Sequence, residues 1–336
     1  MTDIESKYKK VAQIKEYTGK YSSKSKSDPS KQKQWVGKEL LGEEEGPFGF
    51  CEDDEKSPVA EAFSQSLAVE LFGKDLAAKT KFSQTERMIV SRMPEGESAD
   101  LSTIVENAVA DNNTTQLPSN SIAQAMAFKI IMEDDDANLG NFIISKNNES
   151  KESFCFPIDG DCSFTKQDIW DYDDFKSNIS SPKKLAKDLT SIEHTTAFEG
   201  SKEKEEQALG IITNGVTSEK LVEAIDSITT KLSENNFKIS NDVVGEVNGE
   251  KGILPDIKKG YDNGVYSLDE LNFASEKLRE YQNELKSSVE RFSGFVKEYK
   301  KELKPEHTKS EEASHTGNKK RSYQEMVQES KGDIHR

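Results

Sequence analysis

A chain of 336 residues is long enough for about two domains, at roughly 100–200 residues each. Its 62 Asp and Glu against 46 Lys and Arg leave a net charge of −16, which excludes a broad nucleic-acid face, because phosphates select Lys and Arg clusters. Apolar residues make up 33%, and the 20 glycines do not lift that share to the usual level of about 45–50%, so part of the chain reads as tail or linker around a core.

The three cysteines, Cys51, Cys155 and Cys162, form no disulfide framework, and no Cys–His pairing completes a zinc site. Three of the four histidines, His307, His315 and His335, lie in a polar tail, so a histidine-based centre is not expected. No apolar run approaches the roughly 20 residues of a membrane span, and the N-terminus lacks the apolar stretch of a secretory signal. The expectation is a soluble protein made in a reducing cytosol, with no transmembrane segment.

Residues 1–34 are rich in Lys and Ser, and Trp35–Leu40 is a short strand candidate. The acidic loop EEEGPFGFCEDDEKSP follows. A helix is predicted from Pro58, a residue suited to a first helical turn, with Val59, Phe63, Leu67, Val69 and Leu71 on a broad apolar face and Phe72–Gly73 as its end or kink. Arg87–Met93 reads as a buried strand closed by Pro94 and Gly96. ESADLS reads as a loop before one helix, and SIAQAMAFKIIM at 121–132 as a second. The acidic turn EDDDANLGN leads into two strand candidates, Phe142–Ile144 and Phe154–Ile158, with the polar NNESKES as a hairpin loop between them.

From about residue 182 the pattern is helical. Leu221, Ile225, Ile228 and Leu232 fall at helical spacing. Ser267-Leu268-Asp269-Glu270 is a capping box that starts a long helix to about Leu303. Leu271, Leu278, Leu285, Phe292 and Tyr299 recur every seven residues along it, with Ala274, Tyr281, Val289 and Val296 beside them, which predicts packing on a neighbouring helix of the same chain. Residues 304–336 are polar, with few large apolar side chains, and are expected to be a disordered tail.

The stretch that carries chemistry is Asp136-Ala137-Asn138-Leu139-Gly140-Asn141, followed by Pro157-Ile158-Asp159-Gly160-Asp161. Phosphoryl transfer needs an acidic residue to orient or deprotonate the attacking hydroxyl, and oxygen ligands to hold Mg²⁺ against the phosphates. A D-x-x-x-x-N turn offers the acid and an amide ligand, and an aspartate after the next hairpin strand offers a charged ligand. The run Glu133–Asp136 also admits a solvated acidic loop or a calcium-binding turn, and Asp135 replaces Asp136 if the register slips by one.

Asp136–Asn141 resembles the catalytic loop of the atypical kinases, the phosphoinositide 3- and 4-kinases and the HipA-type bacterial serine kinases. DANLGNFII is similar to their D-x-H-x-x-N-hydrophobic pattern, with Asn138 where many members carry His, and PIDGD is similar to their I-D-x-G metal-binding segment. The resemblance implies Asp136 as catalytic base, Asn141 and Asp159 as metal ligands, and Asp161, which departs from the usual continuation, as an added metal contact. It implies a lysine on a strand for the ATP phosphates, here Lys38 with Lys56, Lys79 and Lys81 as competitors, and a helical glutamate to hold it, here Glu61. Met93 ends the strand that resembles the adenine-binding hinge, and Ser22 lies in TGKYSS, the sole stand-in for a glycine-rich loop. The resemblance covers roughly residues 15–235, and its strongest part is the two motifs within 136–161.

The expectation is therefore an α+β, divergent two-lobed protein-kinase-like fold with an α-helical C-terminal extension. Residues 1–95 form the N-lobe, 96–235 the C-lobe, 236–303 a helical extension for membrane or partner binding, and 304–336 the tail. The expected activity is an ATP- and Mg²⁺- or Mn²⁺-dependent phosphotransferase acting on Ser or Thr of a protein substrate. The acidic TKQDIWDYDDFKSN after the second motif argues against an anionic acceptor, and a phosphoinositide kinase is the alternative within that class. The alternative from another class is a kinase-like scaffold. In it Ile257–Tyr261, with Lys297, Lys300 and Lys301, meets an anionic phosphoinositide or inositol phosphate, against the plainer reading of a solvated helix face. By analogy with effector kinases of intracellular bacteria, whose secretion signals are polar and C-terminal, the polar tail suggests export from the bacterial cytosol into a host cell and action on a host protein, at a host membrane in one version.

Overall fold

The computed structural model describes residues 35–40, 47–49, 57–73, 77–92, 97–113, 115–134, 138–146, 152–165 and 170–303. Ser22, Met93, Asp135, Asp136, Lys56 and the tail 304–336 lie outside the described residues. The backbone of the strand carrying Lys38 and Trp35 is described, and their side chains are not. The chain divides into residues 1–296 and 297–336, and of the second unit only 297–303 are described, as helix. The protein is mixed α+β, with two small sheets.

The first sheet joins β1 (Trp35–Glu39), β2 (Lys79–Phe82) and β3 (Met88–Arg92), antiparallel in the order β1-β3-β2. Ile89 sits opposite both Lys38 and Phe82. Helix α1 (Pro58–Phe72) packs on β2. Its start is set by Pro58 and by Ser57, whose Oγ accepts the Ala60 N–H at 3.3 Å, and its end by Gly73 at φ 99°, a conformation open to glycine. Val59, Ala62, Phe63 and Leu67 are fully buried, and so is Glu61.

The second sheet is β4 (Glu97–Asp100), β5 (Phe142–Lys146) and β6 (Ser153–Pro157), antiparallel in that order. The predicted hairpin is present, with Ile143 opposite Phe156. Glu97–Asp100 corrects a sequence expectation: ESAD is strand, not loop. Nothing in Glu-Ser-Ala-Asp favours strand locally, and the exposed edge of β5 supplies the ladder. Asp100 then caps α2 (Leu101–Ala110) by accepting the Thr103 N–H at 2.6 Å.

Helix α3 (Ser119–Ile131) is buried on nearly every side, its alanines allowing close approach to β6 and to α7 (Ser218–Ser233), which presents Leu221, Ile225, Ile228 and Leu232 inward as predicted. Helix α4 (Tyr172–Ser180) was not expected from the acidic segment after the second motif. Its capping box, Asp171 with Asp174, and the buried Phe175, Asn178 and Ile179 at i, i+3 and i+4 explain it. Helices α5 (Pro182–Thr190), α6 (Lys202–Ile212), α8 (Lys238–Val244) and α9 (Ile253–Asp262) complete the helical part.

The last helix, α10 (Leu268–Leu303), starts at the predicted capping box: the Glu270 N–H reaches Ser267 Oγ at 3.2 Å and the Ser267 N–H reaches Glu270 Oε2 at 2.9 Å. Its inward stripe to Val296 is buried within the larger unit, with Leu278, Leu285 and Val296 fully covered. Tyr281 lies against Phe63 and Phe164, and Phe292 against Trp170 and Phe175, so its neighbours are not one partner helix but several elements in turn.

Candidate functional site

Two turns and one helix converge. Helix α3 ends at Ile131, Leu139–Asn141 form a single 3-10 turn capped by Asn138, and β5 begins at Phe142. Asn138 shapes that turn by accepting the Gly140 N–H on its side chain at 2.8 Å and the Asn141 N–H on its carbonyl at 3.0 Å. The Asn141 carbonyl then accepts the Ile158 N–H at 2.8 Å, which sets the first motif beside the second. Asn141 is buried.

Beyond β6 the chain turns sharply through Asp159, whose φ of 55° lies in the left-handed region that a non-glycine residue occupies at a cost. Gly160 follows because nothing larger fits: a Cβ there would sit 2.0 Å from Ser64 Oγ of α1. The Ser64 hydroxyl instead donates to the Glu61 carbonyl at 3.2 Å and to the Gly160 carbonyl at 3.4 Å, and the Ser57 N–H donates to the Asp161 carbonyl at 2.9 Å. Helix α1 and the Asp-Gly-Asp turn are therefore joined backbone to backbone.

This junction brings Glu61, Asp159 and Asp161 into one buried cluster, with carboxylate oxygens all within 4.8 Å of one another. Their residues are at most 1% exposed. Ser163 Oγ, in the same turn and equally buried, has no hydrogen-bond partner among the described residues. Three carboxylates gathered so tightly repel one another when ionised, and burial amplifies the repulsion. A hard divalent cation, with metal–oxygen distances of about 2.0–2.6 Å, matches both the ligand type and the span, so the triad can bind a metal ion.

Glu61 is held in place from the sheet side. Gln65 Nε2 donates to Glu61 Oε1 at 3.4 Å, while Gln65 Oε1 accepts from Thr80 and, at 3.3 Å, from Ser91. The network ties the helix face that carries Glu61 to β2 and β3.

The acidic run before the first motif is not a solvated loop at its start. Asp134 pairs with Lys129 at 2.6 Å, both side chains almost fully buried, and Glu133 pairs with Arg291 of α10. These two carboxylates serve the end of α3. The structure thus brings Asp159 and Asp161 together with Glu61, which the sequence assigns to the phosphate-binding lysine instead, and ties Asn141 to the second motif through its backbone carbonyl. The sequence reading did not anticipate Ser57, Ser64 and Gly160 as the joint between α1 and the metal motif. The glycine between two aspartates was the available signal. Cys155 and Cys162 are buried, and burial pushes the Cys155 thiol far above its ordinary range, so it stays an un-ionised core residue.

None of the residues of the basic-aromatic patch at 257–261 belongs to this cluster. Lys258 pairs with Asp262 and lies 5.4 Å from the Tyr261 ring centre. Lys259 borders a cavity of about 870 Å³ that Lys79 and Lys81 share with Glu70, Glu246 and Asp256, so its walls carry both signs of charge. Among the described residues no helix is long and apolar enough to cross a membrane. No protein-family model matches this chain, and no curated protein or solved structure matches it either.

Proposed function

We propose that this protein is an ATP- and divalent-metal-dependent phosphotransferase with a kinase-like core, acting on a hydroxyl acceptor, Ser or Thr of a protein first. The observation that carries the reading is the buried meeting of Glu61, Asp159 and Asp161, beside the turn that ends in Asn141. Glu61 and the two aspartates are far apart in sequence and serve one metal only if folding brings them together. Asn141, Asp159 and Asp161 hold Mg²⁺ or Mn²⁺ against the phosphates, with Glu61 either joining the metal shell or steadying Lys38 on the phosphates. Ser22 and Met93 contact ATP. Asp136 takes the proton of the acceptor hydroxyl as its oxygen bonds to the γ-phosphorus and the bond to the ADP oxygen breaks. Almost all the catalytic effect comes from positioning and charge neutralisation, which suits a site built from buried, backbone-anchored carboxylates.

The test is transfer of label from γ-labelled ATP, with Mg²⁺ or Mn²⁺, to mixed host-cell protein or to phosphoinositide vesicles, beside Asp136→Ala and Asp159→Ala. Label passed to protein by the parent and lost in both variants is the expected result, and label in lipid would move the acceptor to a phosphoinositide. ATP-induced stabilisation without any transfer would replace the enzyme with a nucleotide-binding scaffold. Action inside a host cell is part of the proposal on the strength of the polar tail. A reporter fused to residues 304–336 that is not translocated by a secreting bacterium would remove it.

A further inference from the structure

Resting on the phosphotransferase reading for its consequence but not for its geometry, the second inference concerns α10. Four successive residues at the end of α3 are each held by a different group. The Ile131 carbonyl accepts from Ser288 Oγ at 2.6 Å, and the Met132 carbonyl accepts the Phe164 N–H at 2.9 Å. The Glu133 carboxylate pairs with Arg291, and the Asp134 carboxylate with Lys129 at 2.6 Å. Ending a helix needs far less, since water or a single cap satisfies its last carbonyls. Glu133 also has a φ of 48°, a strained value for a non-glycine residue that persists where its surroundings over-determine it.

Two of those four holds come from α10, and a third leads back to it. Phe164, whose N–H grips Met132, is stacked on Tyr281 at 5.9 Å and 21° between ring planes, and Tyr281 also lies 6.2 Å from Phe63 of α1. Tyr281, Ser288 and Arg291 lie on one side of α10 over about 15 Å of its length. They reach the helix that carries Glu61, the segment just after Asp161, and the residues just before the D-x-x-x-x-N turn.

We propose that α10 positions the candidate centre from outside. Arg291 and Ser288 fix residues 131–134 at the end of α3, and Tyr281 holds Phe164 so that the metal motif and this end of α3 keep one spacing. None of the three touches the reacting atoms. They are positioning residues, and Arg291 is the one whose effect is read through charge, because it pairs with Glu133.

The experiment uses the full chain and compares the parent with Arg291→Ala, Arg291→Lys and the charge swap Arg291→Glu with Glu133→Arg. Hydrogen exchange is read first, because it does not depend on activity. Arg291→Ala is expected to speed exchange about tenfold at 131–134 and 138–144 and leave β1–β3 as they were, with Arg291→Lys partly and the swap largely restoring protection. In the transfer assay the same variant is expected to lower kcat about tenfold with KM for ATP unchanged, and the thermal shift given by Mn²⁺ alone is expected to persist. Unchanged exchange at these segments overturns the proposal, as does faster exchange throughout the chain, which would make Arg291 a general stability residue. An unaltered kcat in a chain that does transfer phosphate overturns it too. A parent with no transfer, but with the expected local exchange pattern, would remove the phosphotransferase reading and leave the hold of α10 on the turn standing.

Discussion

Gly160 is the residue whose substitution reads the site most directly. A methyl group there meets Ser64 Oγ at 2.0 Å and Ser64 Cβ at 2.8 Å, so α1 must move away from the Asp-Gly-Asp turn. Gly160→Ala is expected to cost about 1–3 kcal/mol in urea unfolding and to weaken the stabilisation by Mn²⁺, because Glu61 moves with α1. Adding Ser64→Ala should return part of both. The carboxylates behave differently. Asp159→Asn or Glu61→Gln removes one acidic ligand from the cluster, so the Mn²⁺-induced rise in melting temperature is expected to disappear. A variant that keeps the full rise would take that residue out of the metal site. The role of Glu61 shows how far sequence reaches at this scale. The resemblance to the atypical kinases marked it as a helical glutamate, but only the tertiary structure shows that it meets Asp159 and Asp161.

At the scale of elements, the ends of α3 and α10 are ionic. Lys129 and Asp134 are buried together, so Asp134→Ala strands a buried cation and is expected to cost about 3–5 kcal/mol, whereas the double change Lys129→Met with Asp134→Leu should fall close to the parent. Equal losses in the single and double variants would contradict that. The capping glutamate of α10 has more partners than a cap requires. Glu270 accepts from Arg87 at 2.8 and 3.1 Å, from Ser267 and, at 3.0 Å, from the Phe48 N–H, while the Phe48 ring packs 5.1 Å from Phe82 and 5.5 Å from Tyr266. Burial raises the pKa of this carboxyl, but Arg87 and then the two backbone N–H groups outweigh it and hold it below its ordinary range. A depressed carboxyl pKa contributes stability above the unfolded value of about 4.3 and loses it as pH falls through the folded value. Glu270→Gln is therefore expected to cost about 1–3 kcal/mol at neutral pH, with the difference from the parent narrowing as pH is lowered below about 4. A gap that is constant with pH would mean that the hydrogen bonds, not the charge, carry the effect. The capping box itself was legible as S-L-D-E, because a cap is a local event. Arg87 and Phe48, 183 and 222 residues away along the chain, were not.

For the molecule as a whole, α10 touches distant parts of residues 1–296. Its first turn holds the β2–β3 connection through Arg87, its middle meets α1, and Phe292 enters a cluster with Trp170, Phe175 and Phe295. Phe292→Ala is expected to cost about 3–5 kcal/mol and to leave one unfolding transition followed alike by fluorescence and by circular dichroism. Two separated transitions would mean that the parts α10 bridges fold independently. The sequence by itself determined the helices with strong period and good caps, and the hairpin. Each of these depends on residues within a few positions of one another. Tertiary structure alone decided that Glu97–Asp100 is a strand, because its partner β5 lies more than 40 residues on. It also decided that Glu133 and Asp134 are structural ions, and that the heptad stripe of α10 faces many elements rather than one helix. Periodicity reports that a face is buried. What buries it depends on contacts between residues far apart in the chain, and on which of them share the space.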